Sequence, residues 1–284
     1  MEKALFGPSG NSLSFYERYK GGTVDSAKDV RAHGLDLFEY SFGRGVKLSS
    51  EKAKEIKASF AENRVEISVH APYYINFANA EAENIEKSVN YVLDSLEKVL
   101  EMGGNRVIFH PGALQKRPQE EASALMFRNF EKLLKGLDRF PKEVKICPET
   151  MGKPAQLGSV EEIIELCRLD ERVYPCFDFG HINSREQGCL RTKEDYLRIF
   201  DLLQSRLPAQ KVRDMHIHFS KIQYGASGEI RHLTFEDETF GPPFEPLLEV
   251  LAERKLCCHV LCESAGTQIE DAATLKACYE GLCK

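Results

Sequence analysis

The chain of 284 residues carries 42% hydrophobic and 29% charged residues, which excludes a disordered segment and a membrane-spanning protein on composition. Its formal charge of -6 excludes holding nucleic acid by bulk attraction, which needs clustered Lys and Arg, but leaves room for a local basic rim. The nine cysteines are odd in number, form no CxxC pair and follow no secretion signal, so reduced thiols in a cytoplasmic protein are expected.

Taken in chain order, short β-rich runs at 4–6, 35–40, 65–70, 106–110, 144–149, 173–178, 214–218 and 259–263 predict eight strands. Helical patterns alternate with them, at 23–33, 49–62, 84–102, 119–137, 159–168, 193–206, 244–254 and 269–282. In the helix over 84–102, Ile85, Val89, Val92, Leu96, Val99 and Leu100 make one apolar stripe at three- and four-residue steps, and Gly103 and Gly104 end it. Strand and helix in strict alternation predict βα units around a parallel sheet. No linker-like stretch divides the sequence, so the expected fold is α/β, a (β/α)8 TIM barrel, as a single domain over 1–284, with an open doubly wound sheet as the alternative. Cys147 and Cys176 fall two residues before Glu149 and Asp178, which makes them small inward-facing fillers of the barrel.

In a closed parallel barrel the chemistry gathers at the C-terminal strand ends. Six consecutive predicted strands end in or carry residues that can bind a metal: His70, His110, Glu149, Asp178, His216 and Glu263. One such residue is ordinarily a hydrogen-bonded rim residue. Six together imply more, because converging carboxylates repel one another unless cations neutralise them, and the same cations accept imidazole nitrogens. Asp178 and His181 form a DxxH step, with His181 expected on a loop over the barrel mouth, and the loop after strand seven contains His232. His216 and His218 share one strand face by the period of two.

These residues resemble the endonuclease IV family, the second family of apurinic/apyrimidinic endonucleases, within the xylose isomerase-like barrels. The likeness runs from about strand two through strand eight. It rests on His70–Asn76 (HAPYYIN), His110-Pro111-Gly112, Glu149-x-x-Gly152, Asp178-x-x-His181, Met215-His216, Arg231-His232 and Glu263. The resemblance implies a zinc centre of two or three ions. His70, His110 and Glu149 would hold one, Glu149, Asp178, His216 and Glu263 a second, and His181 with His232 a third. Where the family has an Asp two residues before the last His, this chain has Ile230. Glu229 or His218 would have to supply that ligand, or the third ion is weak or missing. Phe179 and Gly180 stand where Thr and Cys are usual, and the loop after strand two keeps only Arg44 of the usual polar run. The donor set suits zinc, and manganese or iron as well.

The reaction so implied is hydrolysis of the phosphodiester 5′ to an abasic site in duplex DNA, with a 3′-hydroxyl left behind. Two ions about 3.5 to 4 Å apart clamp an in-line displacement, with Glu149 as the catalytic bridge. Tyr73 and Arg44 would brace the duplex and Arg231 would hold the phosphate. Loop basics Lys20, Arg44, Lys47, Lys116, Arg117, Arg185, Lys221 and Arg231 would form a crescent at the mouth. DNA is the expected partner, with no membrane and no obligate protein partner. A rival is a sugar isomerase or epimerase that uses Glu149, Asp178, His216 and Glu263 around one ion, which leaves His70, His110 and His232 without a role. A binding module without turnover is the third class.

Overall fold

The computed structural model describes residues 3–283. Eight parallel strands form the barrel: β1 Leu5–Pro8, β2 Leu37–Ser41, β3 Glu66–His70, β4 Arg106–Phe109, β5 Lys145–Pro148, β6 Cys176–Asp178, β7 His216–Phe219 and β8 His259–Cys262. They pair as two arcs, β2-β3-β4-β5 and β6-β7-β8-β1. Isolated bridges close the arcs into one barrel, Ser9 to Glu39 at one seam, Ile146 to Val173 and Glu149 to Cys176 at the other.

The order expected from the sequence is the order observed. Because parallel strands wrapped by helices are buried on both sides, they read as short apolar runs, and β4 (RVIF) has every residue buried. The amphipathic helix Ala82–Glu101 lays Ile85, Val89, Val92, Leu96 and Val99 against the barrel. The helix Val160–Cys167 starts with a capping box, in which Ser159 and Glu162 satisfy each other's backbone N–H. Inside the barrel, Cys147 and Cys176 pack with Ile108 in a small cluster separate from the main helix–barrel core.

Several local elements carry weaker signals. The helix Leu13–Arg18 follows β1, and Phe179–Arg185 begins at once after β6, so His181 sits in a helical first turn and not in a loop as expected. Asp178 caps that helix, its Oδ1 accepting the His181 N–H at 2.8 Å. A β-hairpin, Ile222–Gly225 against Gly228–His232, rises after β7. Among the described residues no helix is long and apolar enough to cross a membrane.

Candidate metal centre

At the C-terminal end of the barrel, side chains from β3 to β8 meet around a cavity of about 410 Å³. Glu149, 1% exposed, is buried behind the lining side chains, in contact with His70 and His110 that line the cavity. Its Oε2 lies 3.1 Å from His70 Nε2 and 3.3 Å from His110 Nε2, while its Oε1 lies 2.8 Å from His218 Nδ1. The two oxygens thus face two donor groups. One is His70, His110 and Glu149, and the other is Glu149, Asp178, His218 and Glu263, the ligand atoms of each lying within 4.8 Å of one another. A third group, His181, Glu229 and His232, satisfies the same limit.

The imidazoles are oriented for coordination. His70 Nδ1 lies 2.8 Å from the Ala71 carbonyl and His181 Nδ1 2.9 Å from the Thr150 carbonyl. A carbonyl only accepts, so each Nδ1 carries a proton and Nε2 is the nitrogen that a metal would take. On the carboxylate side, Asp178 Oδ2 is buried without a hydrogen-bond partner, and burial pushes Asp178 up to about 6. Burial works the same way on Glu149, but the imidazoles around it outweigh burial and hold it well below the usual carboxylate range. Burial lowers His181, and Asp178 and Glu149 reverse that and bring it up to about 9. Such a set of buried, mutually charged His and carboxylate groups with an orphaned acceptor fits divalent cations, with zinc matching the mixed nitrogen and oxygen donors.

Strand seven departs from expectation. The strand expected over 214–218 to carry the ligand His216 is observed over His216–Phe219, and its register pairs Asp178 with His218 and Cys176 with His216. His218 therefore stands level with Asp178 and joins the second group, and His216 lies one pleat lower, 3.0 Å from Glu39 Oε2 and away from Glu263. His218 thus enters the group around Glu149, while His216, the ligand expected from the sequence, shares a separate set of donors with Cys176 and His218. Both imidazoles point inward from the same face, so the alternation alone identifies the pair and says nothing of which member is at the metal level. Glu39, completely buried on β2, went unnoticed in the sequence. Its signal was there, a lone acid inside the apolar run LFEYS.

The third group depends on a bulge. Glu229 and His232 are three residues apart, so regular alternation would put them on opposite faces of the hairpin. The register passes from Gln223–Arg231 to Tyr224–Glu229, which leaves Ile230 as an extra residue. Such a bulge restores the phase. Glu229 Oε2 comes to 3.5 Å from His181 Nε2 and its Oε1 to 4.0 Å from His232 Nε2, while Ile230 turns outward at 58% exposed. Gly152 makes room for this, since a Cβ there would lie 2.8 Å from Glu229 Cβ. The Glu229 N–H donates to the Gly152 carbonyl at 3.0 Å. Of the two ligands left open by the sequence, Glu229 rather than His218 completes this set.

The remaining candidates divide. Tyr73 lines the cavity, its ring centroid 6.0 Å from His70 and 6.1 Å from His110. Arg44 is exposed and outside the cavity lining. Arg231 is on the outer side of the hairpin, where its Nε donates to Gln223 Oε1. The basic crescent is reduced, because Arg185 donates to the Lys153 and Gln156 carbonyls and Lys221 to those of Phe235 and Asp237. Lys153, not singled out in the sequence, lines the cavity.

Comparison with known proteins places this geometry. An uncharacterized protein of Methanocaldococcus jannaschii is 32% identical over 278 residues, covering 98% of this chain and 97% of its own. A probable endonuclease 4 of Mycoplasmoides gallisepticum is 27% identical over 217 residues, covering 74% of this chain and 68% of its own. A D-tagatose 3-epimerase-like protein shares the fold with a TM-score of 0.68 at 20% identity, over 98% of both chains. The family model of the xylose isomerase-like TIM barrel matches residues 27–278. The chain belongs to the xylose isomerase-like TIM barrel family.

Proposed function

We propose that this chain is a metal-dependent endonuclease that hydrolyses the phosphodiester 5′ to an abasic site in duplex DNA. The observation that carries the reading is the sharing of Glu149 between two donor groups, with a third group beside them. A sugar epimerase working around one ion needs only Glu149, Asp178, His218 and Glu263. It has no use for His70, His110, His181, Glu229 and His232 aimed into the same cavity. The likeness to a probable endonuclease 4 supports the same choice. Nine free thiols suit a cytoplasmic protein.

Divalent ions bound there, zinc by the donor set, would supply Lewis acidity toward a phosphate and a water that ionises near neutral pH. His70 and His110 would hold one ion with Glu149 Oε2. His218, Asp178 and Glu263 would hold the next with Glu149 Oε1, and His181, Glu229 and His232 the third. Glu149 is the bridging residue. Tyr73, exposed at the cavity rim, would brace the strand beside the extruded abasic sugar, which has no base to unstack. Lys153 would meet the phosphate as a point charge, while Arg44 and Arg231 would reach the DNA farther from the cavity.

The four-residue group around Glu263 is complete for one ion by itself, which favours ketose epimerisation as the second reading. The test is to incubate purified protein with a duplex holding one abasic analogue and, in parallel, with a panel of ketoses, counting bound metal on the same sample. A nick 5′ to the lesion with a 3′-hydroxyl is the expected result. An epimerised ketose beside intact DNA would overturn it.

A further inference from the structure

Glu39 reaches from β2 to the barrel axis directly beneath the ligand layer, with no exposed surface. Both of its oxygens are taken up. Ser9 Oγ donates to Oε1 at 3.0 Å and Ser68 Oγ to Oε2 at 3.1 Å. His216 Nε2 lies 3.0 Å from Oε2, and His218 Nε2 lies 3.0 Å from Oε1, without its N–H aimed along that line. Each oxygen thus meets one serine and one imidazole. A carboxylate at the centre of a barrel is costly to desolvate, and Glu39 is outside the cavity lining, reached from it only through neighbours such as Ser9, whose Oγ also donates to Glu263 Oε1 at 3.3 Å. What it does must therefore pass through a neighbour.

That neighbour is His218. Its other nitrogen, Nδ1, faces Glu149 Oε1 at 2.8 Å and Glu263 Oε1 at 3.4 Å, within the second donor group. We propose that Glu39 is a positioning residue for the metal centre, which holds the Nε2 edge of His218 so that Nδ1 is presented to the ion shared with Asp178, Glu149 and Glu263. The role rests on the metal-centre reading above. Comparison within the site supports it. His70 and His181 are each fixed from behind by a backbone carbonyl, whereas His218, in mid-strand, has its back to the barrel interior where strand carbonyls are committed to the sheet. The Glu39 carboxylate stands there in their place, an ion-pair partner at 3.0 Å, and a carboxylate behind an imidazole makes it a stronger donor to a metal. His216 then has a plain function, as the companion that occupies the second oxygen of Glu39.

The test uses full-length protein stripped by a chelator and titrated with zinc or cobalt(II) ions against a chromophoric competitor, with cobalt absorption reporting ligand geometry. In Glu39→Gln one ion is expected to bind about 10- to 100-fold more weakly, with an altered cobalt spectrum. The other affinities and the metal-free thermal midpoint are expected to hold. Ser68→Ala, which removes one bond to Oε2, is expected to weaken the same ion by a smaller factor, and it carries the test if the Gln variant does not fold. Unchanged affinities in the folded variants overturn the positioning role and leave the metal centre standing. A lowered midpoint with all ions weakened alike marks a structural plug and also overturns it. If wild-type protein binds no ion, the metal centre falls and the role with it.

Discussion

His216 and His218 stand on one face of the same strand and differ in what lies at their level, Glu39 for one and the converging acids for the other. Their substitutions should therefore separate. His218→Ala is expected to lose one bound ion and His216→Ala none, the latter costing about 1 to 3 kcal/mol for a buried acceptor left short of its donor. Native mass spectrometry and thermal unfolding check the pair, and loss of an ion in His216→Ala alone would restore the ligand expected from the sequence. The raised imidazoles set a pH dependence. His181, brought up to about 9, holds a proton at neutral pH in metal-free protein, and an ion has to displace it. Apparent zinc affinity should climb as pH rises toward about 9, with proton release measured calorimetrically in two buffers; a flat profile contradicts the site. A folded value above the unfolded one also means that this imidazole stabilises the metal-free protein fully below about 6.5, and that the gain is lost as pH rises through about 9. At this scale the grouping of donors was legible where a candidate closes its strand, as at His70, or follows directly, as at His110 and Glu149. It was not legible at strand seven, where two histidines in phase compete and only the register against β6 decides.

The hairpin after β7 is an element whose function depends on one additional residue. Removing Ile230 should return the strand to regular alternation and turn either Glu229 or His232 out of the cavity. Deletion of Ile230 is expected to lose the ion of the third group and keep the other two, as counted by mass spectrometry; three ions retained would show that the bulge does not set the aim. Gly152→Ala approaches the same point from the other side. The new Cβ would meet Glu229 at 2.8 Å, displacing the hairpin and weakening that ion while the barrel stays folded. Read as a motif, Ile230 is a missing ligand. In three dimensions it is the insertion that turns Glu229 toward His181 and His232. Bulges leave no trace in a hydrophobic pattern, and short elements such as this hairpin and Phe179–Arg185 take their form from the barrel beneath them. The long amphipathic helix Ala82–Glu101, by contrast, was readable because its periodicity extends over five turns.

Across the whole molecule the alternation of strands and helices was plain in the sequence, since each βα unit repeats the same burial problem. Closure into the expected barrel does not follow from alternation alone, because it rests on pairing β1 with β8, Leu5 opposite His259, from the two ends of the chain. The thiols report on that closure. Cys278 and Cys283 are exposed, whereas Cys147, Cys167, Cys176, Cys258 and Cys262 are buried, and burial pushes Cys258 and Cys262 up to about 12. Alkylation of native protein should modify the first two quickly and the buried five only after unfolding, counted by mass spectrometry. Early reaction at Cys147 or Cys176 would mean an open sheet.

The two seams have a mechanical consequence. One arc supplies His70, His110 and Glu149, the opposite arc Asp178, His218 and Glu263, so an ion between them would work as a clasp across half-barrels whose strands meet at the seams through isolated bridges and not continuous ladders. Chelation should leave helical content nearly unchanged and speed amide exchange first at Gly10, Thr150 and Tyr174, whose N–H groups donate across the seams, the hinge line along which this barrel would open.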